Sequence, residues 1–271
     1  MPYATPPGGL PDQTGRPHDR AVFTTAYAVI PASVMRDIVT SFLPGWTGSR
    51  AWIIARPMTG FAETFAWLIV EIAAGGGSDR PEPDPDGQGV VFVSKGRLTL
   101  TLDGKTHEMD EGGYAYLPAG ADWRVRSDGG ATIHWVRKAW EPADGIAPPA
   151  AFVTHETAAD PVPMPGTDGA WATRRFADPA DLAHDMHVNL VSFRPGAAIP
   201  FAETHVMEHG LYVIEGRAAY LLNDTWVEVE PGDFLWLRAF CPQACIARGP
   251  GPFRYLLYKD VNRHPKLRLP G

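Results

Sequence analysis

The residues with the most chemistry in them lie in one seven-residue run, Glu203-Thr-His205-Val-Met-Glu-His209, and in Gln243, 34 positions further on. Two imidazoles and a carboxylate bind divalent metals, and a carboxamide oxygen can complete the set. With no thiolate among them, these donors suit Mn²⁺, Fe²⁺, Ni²⁺ or Zn²⁺, and the neutral amide leans toward a harder ion such as Mn²⁺. In an extended chain Glu203 and His205 share one face, and His209, four residues past His205, returns to it. A distant strand would bring Gln243 to close the site. The same run contains His205-Val-Met-Glu208-His209, which matches the H-x-x-E-H motif of inverted zincin proteases. That motif needs a helix to stack its histidines one turn apart. Gly210 and a β run follow at once and Pro200 stands upstream, so there is no room for the helix, and the protease reading is set aside. A second pair, His184 and His187, reads as surface or core histidines. Trp171, Trp226 and Trp236 read as core or interface aromatics.

The elements that must position these donors are strands. Runs such as Val90-Val-Phe-Val93, Leu98-Thr-Leu-Thr-Leu102, Leu211-Tyr-Val-Ile214 and Tyr255-Leu-Leu-Tyr258 are short, β-rich and bounded by Gly, Pro, Asn or Asp. Their spacing is that of a sandwich or barrel. Only 33–42 and 179–185 read as short helices.

The chain also repeats itself. Shifted by 120 residues, Val93, Gly96 and Arg97 fall on Val213, Gly216 and Arg217, and Leu102, Glu108, Gly112 and Leu117 fall on Leu222, Glu228, Gly232 and Leu237. So long a period means a duplicated domain. Gly96 and Gly216 each end an apolar run where the chain must reverse, and glycine adopts φ > 0 at little cost. Asp103-Gly104 and Asn223-Asp224 are hairpin-turn dipeptides between alternating strands. The pattern resembles the cupin, a small double-sheet jelly roll. The expected fold is all-β, a bicupin of two tandem barrels with a few short helices. Residues 21–141 are assigned to the first barrel, 142–165 to a Pro- and Ala-rich linker, and 166–271 to the second barrel. Residues 1–20, with five prolines, are expected to be a mobile arm.

The repeat makes a test of the metal site. Subtracting 120 takes Glu203, His205, His209 and Gln243 to Pro83, Pro85, Gly89 and Trp123. Every donor is lost, so the first barrel is predicted to be metal-free, with one ion per chain in the second.

Composition narrows the partners. With 24 basic and 31 acidic residues and a formal net charge of −7, the chain lacks the cationic surplus that phosphate neutralisation requires, which argues against nucleic acid. No apolar run is long enough for a signal peptide or a membrane helix. The two cysteines, Cys241 and Cys245, would stand roughly 13 Å apart along a strand, too far to bond. They read as buried thiols of a reducing compartment, and the expected location is cytoplasmic.

With these residues in hand, the chain from about 20 to 265 closely resembles the (S)-ureidoglycine aminohydrolase family of purine (allantoin) breakdown. The likeness is carried by Asp185-Met-His, Val191-Ser-Phe-Arg-Pro-Gly196, Glu203-Thr-His-Val-Met-Glu-His-Gly210, Asn223-Asp-Thr-Trp226, Pro231-Gly-Asp233, Phe240-Cys-Pro-Gln243 and Tyr255-Leu-Leu-Tyr-Lys-Asp-Val-Asn-Arg263. The Pro-Gln at the fourth ligand and the Tyr-Leu-Leu-Tyr-Lys-Asp-x-Asn-Arg run make it specific, since a generic cupin shares only the Gly and His signals. The resemblance implies Mn²⁺ on Glu203, His205, His209 and Gln243. It implies substrate contacts from Glu203, Gln243, Tyr255, Lys259 and a further pocket tyrosine, Tyr220. The expected catalytic residues are Glu203, Tyr255 and Lys259, the substrate a small ureido compound, and the assembly a homo-oligomer. Two other functions share the scaffold: a different metal cupin such as a dioxygenase or isomerase, and a non-catalytic metabolite-binding cupin.

Overall fold

A computed structural model describes residues 20–35, 41, 43–57, 61–260 and 263. The expected arm lies outside these residues except for Arg20, as does most of 36–42. The described residues form twenty strands and two short 3-10 turns, Ala32–Val34 and Glu156–Ala158.

In chain order the first strands are β1 (Val22–Phe23), β2 (Tyr27–Ile30), β3 (Trp46–Ala55) and β4 (Ala66–Ser78). Next come β5 (Gly87–Gly96), β6 (Leu98–Leu102), β7 (Lys105–Met109), β8 (Gly113–Leu117), β9 (Trp123–Ser127), β10 (Ala131–Ala139) and β11 (Phe152–His155). These build the first barrel in the order β11-β8-β5-β10-β4-β9-β6-β7, with β3 paired to β4. The second half supplies β12 (Pro161–Pro163), β13 (Trp171–Arg174), β14 (Met186–Phe193), β15 (His209–Glu215), β16 (Arg217–Leu222), β17 (Thr225–Val229), β18 (Phe234–Leu237), β19 (Gln243–Arg248) and β20 (Phe253–Asp260). Its sheets run β1-β2-β18-β15-β20-β14-β13-β12 and β17-β16-β19. Strands β5 to β10 recur as β15 to β20, as the repeat requires.

Period-2 patterning does the sorting. In β6 Leu98, Leu100 and Leu102 are buried while Thr99 and Thr101 are half-buried. Each barrel fills with its own inward side chains, Leu100, Val125 and Trp135 in the first, and Tyr220, Phe253 and Tyr255 in the second. A third cluster lies between the barrels, where Trp67, Phe65, Trp236 and Tyr258 are fully buried and Phe65 stacks on Tyr258 at 4.0 Å. Burying rings of this size contributes roughly 1.5–3 kcal/mol each, so the two barrels are joined by a true core. Gly96 and Gly216 sit at φ 77° and 75°. A Cβ there would stand 2.3 Å from the Gly130 oxygen and 2.1 Å from the Pro252 oxygen. Only glycine fits at this position in either copy of the repeat.

The structure departs from the expected boundaries in three places. Residues 21–30, assigned to the first barrel, pair with the second: Val29 lies opposite Leu235 and Tyr27 opposite Leu237. Arg20 forms ion pairs with Glu230 and Asp233 there, and Asp233 accepts the Ala32 N–H at 3.0 Å. The apolar Tyr-Ala-Val-Ile run was a strand in search of an edge, and β18 offered one. The 142–165 segment is not a bare linker: β11 pairs with β8 and β12 with β13. Residues 179–185 make turns instead of a helix, because Asp178 and Asp181 accept the N–H groups of Ala180 and Ala183 at 2.8 and 2.9 Å, the Asx-turn geometry that competes with helix.

Candidate metal and substrate site

The segment 203–208 is a bent loop, not the extended strand expected of it. Three backbone bonds stitch it to the chain before β19. Glu203 and Gln243 exchange both N–H···O bonds at 2.9 Å, and the Phe240 N–H donates to the His205 oxygen at 2.6 Å. His209 then opens β15 and Gln243 opens β19. The stitching delivers all four donors to one cavity of about 120 Å³ in the second barrel, together with Tyr255 and Lys259. That volume admits a small polar molecule. No helix forms, so the stacking that the H-x-x-E-H reading needs is absent.

The donors share a wall without converging on a point. Glu203 Oε1 lies 3.4 Å from His205 Nε2, and the two imidazole rings are 5.1 Å apart. Among the described residues no three His, Cys, Asp or Glu side chains form a closed cluster, and the fourth donor here is an amide. His209 and Gln243 are both 4% exposed, while the Glu203 and His205 side chains are 17% and 31% exposed. The inner pair is therefore fixed and the outer pair faces the mouth. The donor set nonetheless fits a divalent ion. His209 Nδ1 is buried with no hydrogen-bond partner. Burial, followed by the charges of His205 and Lys259, holds the His209 pKa down near 4. A neutral imidazole with an unpartnered nitrogen is the form that ligates metal.

Tyr220 stands behind this wall. It does not line the cavity, as the resemblance implied, but donates to Gln243 Oε1 at 3.0 Å. Burial lifts the pKa of Tyr220 and of its hydrogen-bonded neighbour Tyr255 well above the usual phenol value. Both stay protonated at neutral pH. Burial pulls Lys259 down, aided by the charge of Arg175.

Glu208, the acid inside the set-aside protease motif, has a structural task. Its buried carboxylate accepts from the Glu63 N–H at 2.5 Å, the Thr64 N–H at 2.9 Å, the Thr64 hydroxyl at 2.6 Å and the Trp236 indole at 2.5 Å. Its own N–H donates to Asp260 at 2.6 Å. The first barrel thus grips the donor loop directly beside His209. Sequence reasoning missed this grip, and it missed Arg175 and Asn189, which also line the cavity. Asn189 left a signal, a polar residue on the inner face of β14, whereas Arg175 left none. His184 and His187 are core residues, 6% and 4% exposed. Trp171 and Trp236 are buried, but Trp226 is 49% exposed on β17 and belongs to no core. The two cysteines are buried and unbonded, with Cys241 in the turn ahead of β19.

In the first barrel the matching space is filled. A Cβ on Gly89, the counterpart of His209, would stand 3.0 Å from Trp135 Nε1. Trp135 packs edge-on against Trp123, the counterpart of Gln243, at 5.6 Å between rings. Two indoles occupy what ligands would need.

Two jelly-roll barrels of this kind, one with a polar mouth, define a two-barrel cupin, and the Cupin domain family model matches residues 68–137 and 189–258. The chain is 30% identical over 265 residues to (S)-ureidoglycine aminohydrolase of Arabidopsis thaliana, covering 96% of this chain and 83% of that protein. It is 29% identical over 238 residues to the Escherichia coli (strain K12) protein of the same name, covering 85% and 87%. A crystal structure from Pseudomonas aeruginosa, described as the "Putative Glyoxylate Induced Protein", is 59% identical over the full length of both chains with a TM-score of 0.90. The chain belongs to the (S)-ureidoglycine aminohydrolase family of cupins.

Proposed function

We propose that this protein hydrolytically deaminates (S)-ureidoglycine to (S)-ureidoglycolate and ammonia, a step of allantoin breakdown, using one Mn²⁺ held by Glu203, His205, His209 and Gln243. The observation that carries the reading is the polar cavity of the second barrel, which combines four oxygen and nitrogen donors with a lysine and a protonated tyrosine in a member of this family. The substrate carbon carries an amine, a carboxylate and a ureido group. In the net reaction its C–N bond to the amine breaks, a C–O bond to water forms, one proton reaches the departing amine and one leaves the water. A bound divalent ion would supply Lewis-acid polarisation and a fixed anchor.

The chain's own side chains do the rest. Glu203 is the only carboxylate lining the cavity among the described residues, and it shuttles the proton between water and amine. Lys259 holds the substrate carboxylate. Tyr255 meets the substrate with its hydroxyl and is itself held by Tyr220. The low exposure of His209 and Gln243 keeps the inner wall dry, which strengthens every polar contact made there. Phe23, Phe201 and Phe240 are 64%, 62% and 65% exposed, and a homo-oligomer that covered any of these rings would remove that apolar area from water. No helix among the described residues is long and apolar enough to cross a membrane.

The test is to add Mn²⁺-loaded protein to freshly generated ureidoglycine and follow ammonia and product by NMR. The expected result is a rate well above spontaneous decay with enantiomeric excess of the S product. Decay at the spontaneous rate and a racemic product would refute the reading. Oxygen uptake in the same cell would point instead to a dioxygenase.

A further inference from the structure

One side of the cavity has no assigned task once the four donors, Tyr255 and Lys259 are placed. Asn189, on β14, lines it and is 2% exposed. Its Oδ1 is buried with no hydrogen-bond partner among the described residues. Native folds hold few such atoms, and an acceptor left without a donor calls for an explanation. The register of β13 on β14 pairs Arg174 with Leu190. Carried on by one residue, it sets Arg175 beside Asn189. Arg175 lines the same cavity, and its charge reaches both Lys259 and His187. Neither Arg175 nor Lys259 has an ion-pair partner among the described residues. Two cations without a salt bridge at one side of a small cavity, with only the charge of Asp260 acting on Lys259 from its own strand, make a seat for an anion.

We propose that Asn189 and Arg175 read the substrate: the Asn189 carbonyl accepts an N–H of the ureido group, while Arg175 and Lys259 share the carboxylate. The proposal rests on the aminohydrolase reading and adds to it the residues that sort the substrate. The two seats are not interchangeable. A carboxylate has no N–H to give Asn189, and a ureido group has no charge to give the cations. With both filled, the amine has one direction left, toward Glu203 and the donor wall. Three different seats around one carbon distinguish its two mirror forms, which gives the cavity a physical basis for handling a single enantiomer.

The test uses the full-length, Mn²⁺-loaded protein and two ligands that differ only in the ureido group, (S)-ureidoglycolate and glycolate, titrated calorimetrically. The wild type should bind the ureido acid roughly tenfold or more tightly than glycolate, the effect of one well-made polar contact. Asn189→Leu should erase that preference and leave glycolate affinity within about twofold. Arg175→Met should weaken both ligands by a similar factor, about tenfold. Asn189→Ser serves where the leucine variant does not fold, and manganese content should be equal in all. A wild type without ureido preference, binding of neither ligand, or a preference that survives Asn189→Leu would overturn the proposal. Turnover of ureidoglycine is measured separately. A wild type that prefers the ureido ligand without turning ureidoglycine over sinks the activity reading and leaves the ureido seat standing.

Discussion

Replacing Glu208 by leucine keeps most of the side-chain volume and removes a carboxylate shared by four donors. The Thr64 hydroxyl has a second partner, the Tyr258 hydroxyl at 2.9 Å, and can turn to it. The Glu63 and Thr64 N–H groups and the Trp236 indole are left with nothing. Each unpaired buried donor costs about 1–3 kcal/mol, and water reaching the two backbone groups at the barrel junction keeps them near the low end. The total is about 3–6 kcal/mol, a large share of the roughly 5–15 kcal/mol that holds a domain folded. For a chain of this size that lowers the melting temperature by on the order of 10 °C. Glu208→Gln keeps one acceptor oxygen and turns an N–H₂ toward the remaining donors, so it should fall between. Because Glu208 adjoins His209, the glutamine variant should fold at 25 °C and still bind Mn²⁺ about tenfold more weakly, as when the outer support of a metal ligand is cut. Calorimetric unfolding and a manganese titration check both numbers. A leucine variant that melts within about 2 °C of wild type would show that the carboxylate carries none of the stability assigned to it here.

Three further outcomes follow from the geometry. His134, buried between the barrels, accepts the Trp67 indole N–H on Nδ1 at 3.0 Å, and burial takes its pKa from 6.5 to about 3. The unfolded chain therefore binds the extra proton first, so the stability is fully present above pH 6.5 and is lost as the pH falls from there toward 3. At pH 5 the share of the loss that belongs to His134 is about 2 kcal/mol; urea unfolding at pH 7 and 5 should show a loss about 2 kcal/mol smaller in His134→Gln than in the wild type, because the buried His187 and His209 still contribute theirs in both, and equal losses would refute it. Lys259→Met should raise KM for the anionic substrate about tenfold with manganese content unchanged, and an unaltered KM would remove Lys259 from the carboxylate seat. Grafting Pro83→Glu, Pro85→His, Gly89→His and Trp123→Gln into the first barrel should leave one manganese per chain by elemental analysis, because Trp135 occupies the space an imidazole at 89 needs. Two ions per chain would contradict that packing.

The repeat and its glycine turns were legible because they are local: Gly96 and Gly216 announce the same reversal 120 residues apart, and period-2 runs give the strands. Partnerships were not legible. Tyr27–Ile30 reads as a strand, yet nothing nearby in sequence says that its partner is Phe234–Leu237. The four donors could be found by type and spacing, but the loop that carries Glu203 and His205 is shaped by backbone bonds to 240–243, which spacing does not encode. Tyr220 could be placed near the site by resemblance, whereas its position behind Gln243 depends on how β16 packs on β19. The unpartnered oxygen of Asn189 is a fact about missing neighbours, and no sequence pattern records an absence.

The pairing of β2 with β18 sets an order of events in synthesis. About 200 residues separate the two strands, so at a ribosomal rate of about 5–20 residues per second the first waits on the order of 10–40 seconds for the second to emerge. During that interval the first barrel can close while an apolar strand hangs from it, open to the wrong edge of another nascent chain. The second barrel, made last, completes its main sheet only by taking back the segment made first. Dividing the gene within 142–165 would therefore give a first barrel with a stray strand and a second with a raw edge. A circular permutation that carries residues 20–35 behind the second barrel would shorten the wait, and should refold with less aggregation than the natural order.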